Sequence, residues 1–62
     1  MPEVIVYFVE GRSIDQKRGL VKDLTDAVVR NLAVPADRVI VQIVETPKTD
    51  KARGGVLFSD MP

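Results

Sequence analysis

Six consecutive residues, Val4-Ile5-Val6-Tyr7-Phe8-Val9, are all β-branched or aromatic, and Glu10-Gly11 ends the run. That composition is the mark of a strand. A strand with one wet face alternates polar and apolar side chains. This one does not, so both of its faces need a cover. A 62-residue chain is poorly placed to provide two covers, because a domain of that size buries only roughly 60% of the surface its unfolded form exposes. It contains no cysteine and no histidine, which removes disulfides and makes a structural zinc site a poor expectation. Oligomerisation is the remaining staple. The expectation is that one face of the strand packs on the chain's own helix and the other on a second protomer.

The helix is legible. Ser13-Ile14-Asp15-Gln16 has the form of a capping box, in which Ser13 accepts from a free backbone N–H and Gln16 reaches back to Ser13. Leu20, Leu24, Ala27, Val28 and Leu32 follow at three- and four-residue spacing and make one apolar stripe. Lys17, Lys22, Asp23, Asp26 and Arg30 fill the rest of the surface. Gly19 inside this helix costs on the order of 1 kcal/mol relative to alanine, so a close packing contact is expected there. Pro35 bounds the end.

Val39 to Val44 is a second β-rich run. Strand, long helix and strand make a βαβ unit, expected to be parallel with a right-handed crossover. Thr46 to Arg53 reads as a polar loop, and Gly54-Gly55 as a turn before Val56-Leu57-Phe58. That last segment is expected to form a third strand or a hairpin arm against a neighbouring chain. The fold class is therefore α+β, a short βαβ protomer with a C-terminal hairpin or strand, in a single domain over 1–62.

Nine basic and nine acidic residues cancel, so there is no electrostatic footprint for nucleic acid or an anionic membrane. The longest apolar run is far too short to span a bilayer, and no basic segment precedes it. A cytoplasmic protein without nucleic-acid or membrane partners is expected.

Most catalytic templates fail for want of histidine, cysteine, a nucleotide-binding glycine loop or metal-spaced carboxylates. Pro2 remains. Methionine ahead of a small residue is normally trimmed, which would leave Pro2 with a free secondary amine at the head of an apolar strand. A free α-amino group titrates at about 7.7–8.0 in model peptides, and neighbouring cations leave more of it neutral near pH 7. The neutral amine takes a proton from an enol hydroxyl or an activated carbon, and its conjugate acid returns one elsewhere. A retained Met1 would convert that nitrogen to an amide and abolish the chemistry.

Arg12, in Glu10-Gly11-Arg12-Ser13, carries the group best shaped for a bidentate grip on a carboxylate. By residue type alone it reads as a solvated loop charge, as do Lys48, Lys51 and Arg53. At roughly 3.3 Å per residue the strand from Pro2 to Val9 is over 20 Å long. Pro2 and Arg12 of one chain therefore belong at opposite ends, and a site using both needs two chains. Antiparallel pairing of first strands across a two-fold axis would join them.

The Met1-Pro2 start, the Val9-Glu10-Gly11-Arg12-Ser13 block, Asp15-Gln16-Lys17 and the late Gly54-Gly55 together resemble the 4-oxalocrotonate tautomerase family over essentially the whole chain. The resemblance implies βαβ protomers that pair through their strands into homohexamers, usually trimers of dimers, and a cofactor-independent, metal-free isomerase of aromatic hydrocarbon catabolism. It implies Pro2 as general base and acid, and Arg12 of a neighbouring subunit on a substrate carboxylate. The expected reaction is enol–keto interconversion of a 2-hydroxydienoate or related 2-keto acid such as 2-hydroxymuconate.

Two positions depart from the best-studied members, which carry a second arginine where this chain has Ile40 and an aromatic wall residue where it has Lys51. Arg38, two residues before Ile40 and so on the same side of an extended strand, and Lys51 and Arg53 of the late loop are candidate replacements for binding substrate oxygen. The departures also keep two alternatives open. One is related Pro2 chemistry, either hydration (dehalogenation) or decarboxylation of a small acid. The other is a catalytically silent subunit of a mixed oligomer.

Overall fold

The apolar run forms strand β1, Glu3–Val9, in the computed structural model, which describes Met1–Pro62. Helix α1 follows over Ile14–Leu32, and β2 covers Ile40–Thr46. The two strands are parallel, in register from Glu3 opposite Ile40 to Val9 opposite Thr46. This is the expected βαβ unit. Since consecutive side chains of a strand point to opposite faces, one face carries Val4, Val6 and Phe8 beside Val41 and Ile43, and these are half-buried. The other carries Ile5, Tyr7 and Ile40, exposed by 49%, 65% and 39%. The helix covers only the first.

Ser13 caps α1 as expected, accepting from the Gln16 N–H at 3.1 Å while Gln16 Oε1 accepts from the Ser13 N–H at 2.9 Å. Leu20, Leu24, Ala27 and Val28 are half-buried, joined by Val21. Leu32 departs from the expected stripe and is exposed, because it is the last helical residue and the chain then turns away. That turn is made by Ala33 in the left-handed region (φ 56°), with its N–H bonded to the Val29 carbonyl at 3.0 Å. Pro35 lies beyond it and opens a 3₁₀ turn over Ala36–Arg38. The close contact expected at Gly19 is absent, and a Cβ there would meet nothing within 4 Å. Gly19 lies some 200° around the helix from Lys17, which faces the sheet, and so points outward.

The segment read as a polar loop is more ordered than expected. Thr46 closes β2, Lys48–Asp50 makes a 3₁₀ turn, and β3, Ala52–Arg53, pairs antiparallel with β4, Val56–Leu57. Gly54 and Gly55 supply the two positive φ angles, 59° and 82°, that a two-residue hairpin turn of this hand demands. A last 3₁₀ turn covers Phe58–Asp60. This arm packs mainly on itself.

No residue of the protomer is buried. Its accessible surface is 4791 Å², where a self-contained protein of 6.9 kDa exposes about 4,000 Å². The radius of gyration is 14.7 Å, against about 11 Å for a compact chain of this length. The excess surface, about 800 Å², is what one partner contributes to a standard protein interface.

Candidate active site

The candidate residues fall into three places. Pro2 precedes β1 and is fixed by its carbonyl, which accepts a hydrogen bond from the Ile40 N–H at 3.0 Å. Met1 ahead of it is 86% exposed. Extending the register of β1 and β2 by one step sets Val39 level with Pro2 and Arg38 just before it. The alternation expected to put Arg38 on the same face as Ile40 does not hold, because Arg38 ends a 3₁₀ turn and the strand begins only at Ile40. Arg38 nevertheless lies at the Pro2 end of the sheet.

Arg12 lies at the other end. The Glu10 N–H bonds the Thr46 carbonyl at 3.0 Å, after which Gly11, with φ 122°, turns the chain out of the strand. Such a φ is poorly tolerated by side chains other than glycine's. Arg12 follows and joins Phe8, Gln16, Lys17 and Leu20 around a cleft of about 280 Å³. The walls are apolar and the rim is cationic. Lys17 is tied across to Glu45 of β2, with side-chain exposures of 25% and 31%. The other ion pairs, Arg18–Asp15 at 2.8 Å and Lys22–Asp26 at 3.0 Å, lie on more exposed parts of the helix. The hydrogen bond to Asp26 and that residue's charge raise the Lys22 pKa. Arg12 takes part in none of the ion pairs, so its guanidinium is free to grip an anion.

Lys51 and Arg53 occupy the third place, on the arm that departs after Thr46 from the Arg12 end. The Lys51 carbonyl accepts from the Phe58 N–H at 2.8 Å, and the Arg53 guanidinium lies 5.4 Å from the centre of the Phe58 ring, a cation–π contact. Within one chain the fold thus groups Pro2 with Arg38 and groups Arg12 with the root of the arm. It does not bring Pro2 to Arg12, Lys51 or Arg53, since seven strand steps of roughly 3.3 Å separate Pro2 from Val9.

Residue types alone single out Arg12 but pass over Gln16 and Lys17, which read as a helix cap and a solvated face. Spacing held the missing signal. Gln16 reaches back toward Ser13, the residue after Arg12, so its amide is drawn toward the Arg12 end of the helix.

A family model described as tautomerase enzyme matches residues 2–61. A probable tautomerase of Bradyrhizobium diazoefficiens is 48% identical over 58 residues, spanning 94% of this chain and 87% of the relative. A 2-hydroxymuconate tautomerase of Pseudomonas putida is 42% identical over 55 residues, covering 89% and 87%. The crystal structure of a 4-oxalocrotonate tautomerase homologue superposes with a TM-score of 0.94 at 40% identity, over 100% of this chain and 98% of that one.

Proposed function

The chain belongs to the tautomerase family, and we propose that it interconverts the enol and keto forms of a 2-hydroxydienoate or related 2-keto acid, such as 2-hydroxymuconate, without a cofactor. Its base and acid is the Pro2 nitrogen, freed by removal of Met1. The neutral amine takes the proton of the 2-hydroxyl, the electron pair moves through the conjugated carbons, and the protonated amine returns a proton to carbon. Atoms and charge balance within one substrate. Arg38, at the same end of the sheet, is the candidate to receive substrate oxygen there.

The observation that carries this reading is the free Arg12 guanidinium in an apolar-walled cleft at the far end of the strand that Pro2 begins. A homo-oligomer completes the site. First strands paired antiparallel bring one protomer's Arg12 cleft to its neighbour's Pro2, and Lys51 and Arg53 travel with Arg12 because their arm leaves from the same end. The open sheet face, the unpaired edges of β1 and β2, and the excess of about 800 Å² of surface support assembly, and a trimer of dimers is the form we propose. The P. putida relative's name supports the substrate class.

The test is the ultraviolet rate of ketonisation of 2-hydroxymuconate and of phenylenolpyruvate, comparing Met1-trimmed protein, verified by mass, with Pro2→Ala. Turnover that collapses in the variant is expected. Equal rates in the two proteins would refute a Pro2 catalyst, and rates no faster than the uncatalysed reaction in both would turn the assignment toward a silent subunit. The ratio between the substrates reads whether a second carboxylate matters where Ile40 replaces an arginine.

A further inference from the structure

The capping box uses only half of the Gln16 amide. Its Oε1 accepts from the Ser13 N–H at 2.9 Å, while Nε2 makes no hydrogen bond to the rest of the chain. The same side chain lines the cleft beside Arg12. Chemistry fixes which end of the amide faces where, because a backbone N–H requires an acceptor and the two amide donors must point away from it. Lys17 already shares its charge with Glu45. Of the cleft's donors, the Arg12 guanidinium and the Gln16 NH₂ group make no hydrogen bond to the rest of the chain, while the Lys17 ammonium has one of its three N–H donors committed to Glu45.

An ionised carboxylate offers about four lone-pair sites, of which a bidentate arginine fills two. Resting on the tautomerase reading above, we propose that Gln16 is a specificity-determining residue whose Nε2 donates to the substrate carboxylate held by Arg12. The helix cap fixes the amide in advance, so little side-chain freedom is lost on binding. One residue thus starts the helix and completes the anion site.

The experiment is calorimetric titration of the assembled, Met1-trimmed protein with muconate, a dicarboxylate that lacks the enol hydroxyl and so serves as an unreactive probe. Gln16→Met removes the donors without adding charge, and affinity is expected to fall at least about tenfold, the lower end for loss of a hydrogen bond to a charged group. Gln16→Glu keeps the capping box, so its melting temperature stays at the parent value while affinity falls further. Ser13→Ala weakens the cap from its other side, lowering the melting temperature and leaving affinity unchanged. Parent-like affinity in Gln16→Met, or an equal loss in Ser13→Ala, would overturn the proposal in favour of a purely structural glutamine. Weakening in Gln16→Glu alone would overturn it too, as neutralisation of Arg12. Arg12→Ala keeps the two levels apart. If it binds muconate like the parent, the carboxylate grip itself fails, whereas loss in Arg12→Ala with none in Gln16→Met removes only Gln16.

Discussion

The two faces of the β1–β2 sheet are built from the same kind of residue and meet different fates. Val4, Val6 and Phe8 lie under α1 and are half-buried, whereas Ile5 and Tyr7, their immediate neighbours in the chain, are exposed. Nothing in their side chains distinguishes the two sets, because both are β-branched or aromatic. What differs is the supply of cover: one helix covers one face. The second face is an apolar surface of the kind that marks an interaction site, and it lies next to two unpaired strand edges, which invite strand addition. The assembly proposed above would make folding and assembly one process in this chain.

The largest effect is expected from placing a charge on the open face. Ile5→Asp would leave a carboxylate unpaired in a subunit interface, and the assembled species should vanish in sedimentation or light scattering, with loss of the folded circular dichroism signal. Unchanged mass and melting temperature would mean that the face is not an interface. A cut on the helix-covered face should behave differently. Leu24→Ala should cost about 2 kcal/mol, toward the low end for leucine truncation because the site is only half-buried. The urea midpoint should fall while the assembled mass is kept, and dissociation instead would erase the distinction between the faces. The smallest effect concerns the outer side of the helix. Gly19→Ala should stabilise by about 0.5–1 kcal/mol, since a Cβ meets nothing there and alanine is the better helix former. Destabilisation would place another protomer against this side and make the helix, like the sheet, two-faced.

Much of this was readable before any coordinates. β1, the capping box and the two-glycine turn each follow from a local rule that nothing overrode, and the parallel pairing follows from the strand–helix–strand connection. The failures are informative in the same terms. Leu32 continued the stripe in sequence but stands at a helix end, where the stripe has nothing to face. Gly19 suggested a close contact because a helix glycine has a cost, yet the cost does not imply a neighbour. Counting back from Ile40 gives Arg38 a strand side, but the 3₁₀ turn over Ala36–Arg38 breaks the count. The site was half legible. Pro2 and Arg12 stood out by chemistry and position, while Gln16 was hidden because its capping role accounted for it without reference to the cleft. Lys51 and Arg53 lie on an arm with few contacts to the βαβ unit, so their position relative to Pro2 depends on a second chain and no single-chain rule reaches it.

The central claim is that each site takes its proline from one chain and its Arg12 cleft from another. Subunit complementation tests it most directly, by mixing Met1-trimmed Pro2→Ala and Arg12→Ala chains, unfolding and refolding them together, and measuring ketonisation of 2-hydroxymuconate. Each variant alone should turn over poorly, and the mixture should recover a sizeable part of the parent rate, because mixed pairs hold some sites with both residues intact. A mixture no faster than the average of its two components would contradict a site shared between chains.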